Sequence, residues 1–333
     1  MASHRRWWMP VAALPESPPA AVGPLTVRLF GEDIVLWRPA GGAPVAFTDR
    51  CPHRGARLSL GCVRGGELQC AYHGWRFDST GRCVAVPALP GFMPPAGHAA
   101  GAFAAREAHG LLWVALESPG ADAGATATGT EPPALDDLPA RRVLCGPFDV
   151  ATSAPRVVEN FLDTAHFAFV HEGWLGGPDV PAVPHYDVIH DAVGRPAVRG
   201  YLAWQPRAQA VAREGAWVRY DYRVLSPYGA CLVKAPDAAG AAAEGYVLWT
   251  CPLDEESTRV WFTIATEDRQ IDEAALVAFQ QQIFAQDRPV LESQRPRRLP
   301  LAPDGDEHHV ASDRLSVAYR RWLAAEGIGF GTC

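Results

Sequence analysis

The sequence has no run of lysine and arginine. Its 30 basic residues are scattered among 333 positions and outnumbered by 37 acidic ones, for a formal net charge of −7. This excludes nucleic acid or an anionic membrane as the natural partner. The one basic cluster, Arg295-Pro296-Arg297-Arg298, is short and reads as a solvated face. No stretch approaches the roughly 18 apolar residues of a membrane helix, and no apolar core follows the Arg5-Arg6 pair as it would in a secretory signal. Of eight cysteines, six (Cys62, Cys83, Cys145, Cys231, Cys251 and Cys333) show no paired spacing. A disulfide scaffold is thereby excluded, and a reducing, cytoplasmic compartment is expected. No Gly-x-Gly-x-x-Gly follows a strand pattern. Gly327-Ile328-Gly329-Phe330-Gly331 has no helix after it, so the chain carries no dinucleotide site of its own.

What is present is an ordinary globular composition, 48% hydrophobic and 20% charged, with length enough for two domains. Residues 1–118 read as a small all-β domain. Short strands with period-two alternation run over 25–30, 33–38 and 43–49, separated by turn signals at Gly31-Glu32 and Gly41-Gly42. A hairpin over 75–86 and a closing strand over 109–116 follow. The low-complexity run from Ser118 to Pro133 marks a linker, taken as 119–140. Residues 141–333 mix element types: a helix over 157–170, strands over 197–205, 216–225, 246–252 and 258–266, a long helix over 272–292, and a last helix over 312–326. Pro289 is expected to kink or end the long helix early. An antiparallel sheet wrapped around that helix gives an α+β arrangement.

Two half-sites organise the N-terminal domain: Cys51-Pro52-His53 and, after sixteen intervening residues, Cys70-Ala71-Tyr72-His73-Gly74-Trp75. Two thiolates and two imidazoles suit either tetrahedral zinc or a 2Fe-2S cluster in which histidines replace two cysteines on one iron. Zinc knuckles of this composition pair like with like, whereas each half-site here is mixed. The mixed spacing is that of a Rieske centre, a one-electron relay poised at about −150 to +300 mV because neutral imidazoles leave less negative charge on the cluster.

A second constellation lies in Glu159-Asn160-Phe161-Leu162-Asp163-Thr164-Ala165-His166 through His171. Helical spacing sets Asp163 and His166 on one face. His171 can join His166 if the helix end bends or loosens. Two buried histidines of an amphipathic helix are the plainer reading, but a cluster with nothing to reduce would be idle. Two histidines and a carboxylate on one face of an iron leave positions open for oxygen and substrate. The third ligand must come from elsewhere, with Asp272, Glu273, Asp287 and Glu292 of the long helix as candidates.

With both motifs present in this order, the chain resembles the Rieske non-haem iron oxygenases over nearly its whole length. That resemblance implies a C-terminal helix-grip (START-like) domain, with His166 and His171 binding a mononuclear Fe(II). Its C-terminal Asp-x6-Gln pattern falls on Asp287 and Gln294 and makes Asp287 the third ligand. It places Asn160 near the iron. It further implies a head-to-tail homotrimer in which Asp163 links the iron to a cluster histidine of the neighbouring subunit, and a separate NAD(P)H-dependent reductase, with or without a ferredoxin. Some members carry a disulfide where Cys62 and Cys83 stand. His171-Glu172-Gly173-Trp174, the segment from Ser312 to Leu323 and the tail to Cys333 look like the saxitoxin-tailoring Rieske hydroxylases, and less like the vanillate and dicamba O-demethylases. The implied reaction uses O2 to hydroxylate a C–H bond of a small cyclic organic or natural-product substrate. O- or N-demethylation of a methoxylated or methylated aromatic, and ring dihydroxylation, use the same metals. A Rieske electron carrier with an inert second domain and a zinc-stabilised binding module are the alternatives of other classes. The central sheet, 185–265, would line the pocket.

Overall fold

The computed structural model describes residues 3–14, 22–117, 131–206, 215–236, 243–302 and 307–333. The chain divides into two compact units, one built on residues 5–117 and the other on Pro133–Cys333. The low-complexity run lies outside the described residues as far as position 130.

The first unit is all β: β1 (Met9–Ala13), β2 (Val22–Leu29), β3 (Glu32–Arg38), β4 (Val45–Thr48), β5 (Cys62–Arg64), β6 (Glu67–Gln69), β7 (Arg76–Phe77), β8 (Cys83–Ala85), β9 (Ala102–Ala108) and β10 (Leu111–Ala115). Six strands pair antiparallel in the order β1-β10-β9-β4-β3-β2, and four short ones in the order β5-β6-β7-β8. β10, Leu-Leu-Trp-Val-Ala, is buried along its whole length, as a continuous apolar run demands. Two hairpins turn through paired left-handed residues, Phe30-Gly31 (φ 51° and 78°) and His109-Gly110 (φ 54° and 77°). That is the twist a two-residue hairpin needs, and it moves the first turn one residue ahead of the Gly31-Glu32 position expected from sequence.

The second unit carries β11 (Arg141–Val150), α1 (Ala154–Leu162), α2 (Phe167–Val170), β12 (Val188–His190), β13 (Pro196–Gln205), β14 (Ala216–Ser226), β15 (Gly229–Pro236), β16 (Glu244–Asp254), β17 (Ser257–Thr266), α3 (Glu273–Ser293) and α4 (Arg314–Ala325). Its strands form one antiparallel sheet, β11-β17-β16-β15-β14-β13-β12. α3 packs on β11, and α1 on β15 and β16. The buried positions of α3, Leu276, Gln280, Ile283, Phe284, Asp287 and Leu291, recur at helical spacing and form the stripe that faces the core.

Two expectations from the sequence are corrected. The helix over 157–170 is two helices: Asp163 is extended (φ −86°, ψ 139°) and ends α1. Its carboxylate accepts the backbone N–H groups of Ala165 (2.9 Å) and His166 (3.3 Å), a local alternative to helical hydrogen bonds that breaks the run. Phe169, which a single helix would set on the apolar side with Val158 and Leu162, is consequently exposed. α3, conversely, does not end at Pro289 but runs through it to Ser293. An internal proline costs about 3 kcal/mol. Here the last turn is held by burial of Leu291 and by Glu292 Oε1, which accepts the Ala151 N–H at 3.1 Å.

α1 is fastened by charge. Arg320 of α4 donates to both carboxylate oxygens of Glu159 and, at 2.6 Å, to Glu307, while Arg156 of α1 donates to Glu307 and to the Pro296 carbonyl (2.9 Å). Arg156 and Arg320 are buried. Glu159, the first residue of the second motif, is thus a structural anchor that fixes the next residue, Asn160.

Candidate metal centres

Cys51 follows β4, and Cys70 opens the turn between β6 and β7. The two loops fold alike. Cys51 N–H donates to the Ala56 carbonyl (2.7 Å) and Gly55 N–H back to the Cys51 carbonyl (2.9 Å); Cys70 N–H donates to Trp75 (2.8 Å) and Gly74 N–H to Cys70 (3.1 Å). Each needs a left-handed residue four places after its cysteine, and Gly55 (φ 73°) and Gly74 (φ 72°) supply it. Asp49, buried at the end of β4, accepts the Ser59 N–H (2.8 Å) and hydroxyl (2.6 Å) and so closes the base of the first loop.

Both thiols are buried, against Trp37, Phe47, Leu68 and Phe77. Burial pushes the Cys51 thiol up to about 11, against the pull of the His53 and Arg54 backbone N–H groups and with a further push from Cys70 beside it. Such a thiol ionises only against a cation, and those N–H groups are donors for a sulfur carrying charge. The His53 and His73 rings stand 4.5 Å apart, centroid to centroid, and His53 stacks on Trp75 at 4.5 Å. His53 Nδ1 is buried with no partner among the described residues. Desolvation, then His73 and Arg54, hold that ring below the ordinary histidine value, hence in its neutral, ligating form. An orphaned lone pair beside two buried thiols fits a mixed thiolate–imidazole 2Fe-2S cluster. Cys62 and Cys83 flank these loops as free thiols, the Cys83 S–H pointing at the Ala85 carbonyl (3.6 Å).

In the second unit α2 begins after His166 and ends at His171, so both rings project from the ends of one short helix. Their Nε2 atoms stand 3.2 Å apart, and Asp287 Oδ1 lies 3.5 Å from His166 Nε2 and 3.2 Å from His171 Nε2. Each other ring nitrogen has a partner: His166 Nδ1 meets Asp163 Oδ2 at 2.9 Å, and His171 Nδ1 meets Gln286 Oε1 at 2.9 Å. Those acceptors fix the protons on Nδ1, leaving two Nε2 lone pairs and a carboxylate oxygen aimed at one another with no proton to share. Donors spaced in this way surround a divalent ion held at about 2.1 Å from each. Asn160 Nδ2 donates to Asp287 Oδ1 (3.4 Å) and orients it. Burial pushes the Asp163 carboxyl up, but the His166 ring and the Ala165 and His166 N–H groups outweigh it, so the group sits below the usual carboxylate range.

The structure therefore brings Asn160, Asp163, His166, His171 and Asp287 together. The pairing of Asp163 with His166 comes from a turn, not from a shared helical face. The other acids lie elsewhere: Asp272 precedes α3, Glu273 is in its exposed first turn, and Glu292 holds Ala151. Gln294 ends α3, its Oε1 buried without a partner among the described residues. Sequence reasoning missed Gln286, whose only signal is its place beside Asp287.

The triad opens on a cavity of about 650 Å³, its mouth included, walled by Phe161, Phe167, Leu232, Phe262, Ile283 and Phe284. Strands of the central sheet supply one side and the buried stripe of α3 the other. Tyr220, Lys234, Tyr246 and Gln280 add polar groups.

Comparison with known proteins identifies both units. Residues 7–96 match the Rieske [2Fe-2S] domain, and residues 150–326 the vanillate O-demethylase oxygenase C-terminal domain. The methylxanthine N1-demethylase NdmA of Pseudomonas putida is 33% identical over 96% of this chain and 88% of its own length. The structure of NdmA from Pseudomonas putida CBB5 with caffeine superposes with a TM-score of 0.79 at 31% identity, covering 97% of this chain and 90% of that one. Dicamba monooxygenase bound to dicamba shares the fold alone, with a TM-score of 0.75 at 23% identity over 98% of each chain. A 113-residue stretch is 42% identical to the oxidoreductase NdmD of Pseudomonas putida, covering 34% of this chain and 19% of NdmD. No helix among the described residues is long and apolar enough to cross a membrane. An electron-relay domain followed by an oxygenase domain, matched from end to end by demethylases, leaves neither a bare carrier nor a zinc module: this chain belongs to the Rieske non-haem iron oxygenases, which work with a 2Fe-2S cluster and a mononuclear iron.

Proposed function

We propose that this chain is the oxygenase component of an oxidative demethylase, acting on a methyl group carried by nitrogen or oxygen on a small planar ring. The observation that carries this reading is the 33% identity to an N1-demethylase across 96% of the chain, both metal domains included. That identity favours demethylation, the alternative reading of the sequence, over hydroxylation of a C–H bond of a small cyclic substrate. The two activities share their first step: a C–H bond becomes C–OH while O2, two electrons and two protons are consumed and one water is released. On an N- or O-methyl group the product collapses to formaldehyde and the free N–H or O–H.

Cys51 and Cys70 would hold one iron of the cluster, and His53 and His73 the other. His166, His171 and Asp287 would hold the mononuclear iron. Bound there, iron(II) supplies oxygen activation, fed with single electrons by the cluster. The chain's own residues set the conditions. Asp163 and Gln286 hold the two imidazoles by their Nδ1 protons, Asn160 steers the Asp287 carboxylate, and the phenylalanine walls keep water from the methyl group. Electrons would come from a separate NAD(P)H-dependent reductase in the cytoplasm, a compartment supported by the six cysteines outside the cluster, which are free thiols. In a head-to-tail trimer Asp163 would link the iron of one subunit to a cluster histidine of the next. Asp163→Ala, which also removes the acceptor of the His166 Nδ1 proton, should with Fe(II) in excess keep both metals and lose at least about a hundredfold in electron delivery to the iron; single-turnover reoxidation of the reduced cluster at the normal rate would sink that role.

The test of the reaction is formaldehyde release from a panel of N-methyl and O-methyl heterocycles and arenes, with a surrogate reductase and NADH. Formaldehyde in step with NADH consumed is the expected result. Ring-hydroxylated product with the methyl group intact overturns it.

A further inference from the structure

One charged pair in the cavity plays no part in holding metal. Lys234 of β15 and Glu244 of β16 face each other directly across the sheet, and both are buried, each 6% exposed. The ammonium stands 3.6 Å from Glu244 Oε2, just beyond hydrogen-bond reach, and 4.9 Å from the centre of the Tyr246 ring. Tyr246 O–H donates to the same carboxylate oxygen at 3.1 Å. Lys234 lines the cavity that holds His166, His171 and Asp287, while Glu244 stands behind it.

An ammonium has three N–H donors, and one carboxylate oxygen at that distance does not saturate them. Burying an ammonium in a wall made mostly of phenylalanines and leucines is costly, so such a wall carries one only where its donors find acceptors. On this observation, and resting on the reading of the cavity as the substrate site, we infer that Lys234 is the specificity-determining residue: its free N–H groups bind a neutral ring carbonyl of the substrate, as in an N-methyl lactam or cyclic imide.

The pair selects for neutrality as well as for an acceptor. Glu244 already balances Lys234, so a carboxylate substrate would leave a net negative charge in a buried, largely aromatic enclosure. A carbonyl oxygen accepts a charge-assisted hydrogen bond and leaves the balance untouched. Glu244 also holds the ammonium in the wall, and Tyr246 fixes Glu244 in turn. A ring fused beside the carbonyl would lie against Phe279 and Tyr246, the aromatic faces that flank Lys234.

The test is equilibrium binding to the metal-loaded protein, kept anaerobic, of three matched probes: 1-methyl-2-quinolone (neutral carbonyl), 1-methylindole (no acceptor) and 1-methylindole-2-carboxylate (anion). The wild type should bind the quinolone at least about tenfold more tightly than either of the others. That advantage should vanish in Lys234→Met, and equally in the charge-balanced Lys234→Met/Glu244→Gln pair, which leaves no buried acid unpaired; binding of 1-methylindole should stay as it was. Tightest binding of the carboxylate by the wild type, or a quinolone advantage that survives in both variants, overturns the inference. Formaldehyde from the same samples, on adding reductase and O2, reports separately on demethylation. Its release without an affinity contrast rejects Lys234 alone, and the contrast without formaldehyde rejects demethylation alone.

Discussion

The two candidate metal centres of this chain are built in opposite ways. The cluster loops are local: in each, a cysteine, a histidine and a left-handed glycine fall within five consecutive residues, closed by the same pair of backbone hydrogen bonds. The candidate mononuclear centre is assembled at long range. Two histidines come from the ends of a four-residue helix, and the carboxylate comes from a helix more than a hundred residues later. Backbone geometry holds the first centre in shape, whereas side chains, Asp163, Gln286 and Asn160, hold the second. A local centre is a property of its segment, and a long-range one depends on the packing of the whole unit.

Removal of one ligand from each centre gives the largest contrast. Cys51→Ser should abolish the cluster and its visible absorption along with activity. His171→Ala should leave the absorption intact and lower product formation by about a thousandfold or more. Spectra that change in both variants would mean that the centres are not built independently. Next in size is the clamp on α1. Arg320→Met leaves Glu159 and Glu307 with Arg156 alone and should cost about 3 kcal/mol of stability, read by thermal or denaturant unfolding. Burial pushes the Glu307 carboxyl up, but Arg156 and Arg320 together hold it below the usual glutamate range. A depressed carboxyl stabilises the fold above its unfolded value, and that contribution disappears as pH falls through the lower, folded one. The wild type should therefore lose stability more steeply than the variant across the acid side of the glutamate range.

Gln286→Leu probes the side-chain support of the long-range centre. Without its acceptor for the His171 Nδ1 proton, Fe(II) affinity should fall about 10–100-fold while the cluster is undisturbed. Unchanged affinity in an Fe(II) titration would make Gln286 a bystander. The smallest effect is expected in a cluster loop. Gly74→Ala forces a side chain into φ 72° and sets its Cβ 3.1 Å from Pro87 Cγ. It should cost about 1–2 kcal/mol, with the cluster still assembled.

The same contrast governs what could be read from the sequence. Cys51, His53, Cys70 and His73 were legible because their spacing is their geometry, and β13, β14, β16 and β17 because strand periodicity is local, whereas β11, β12 and β15 were not read from the sequence. Asp287 was not singled out by spacing, since nothing near it in sequence names its partners; only resemblance to a family distinguished it from Asp272, Glu273 and Glu292. A physical signal was nonetheless present. Leu276, Gln280, Ile283, Phe284, Asp287 and Leu291 form one stripe, and an acid on an apolar stripe has to meet a partner or a cation. The break at Asp163 was hidden because the apolar residues on both sides keep helical spacing. The outcome there was decided by a side chain that caps two amides. Continuation of α3 through Pro289 depends on burial of Leu291, which belongs to the tertiary structure rather than to the segment.

The account rests on the second centre being real, and the direct measurement is iron and acid-labile sulfide per chain on anaerobically purified protein. About three irons with about two sulfides is the predicted result, falling to about two irons in His171→Ala with sulfide unchanged. About two irons with about two sulfides in the wild type, unaltered after addition of Fe(II), would contradict it and leave His166, His171 and Asp287 as a buried polar cluster without a metal.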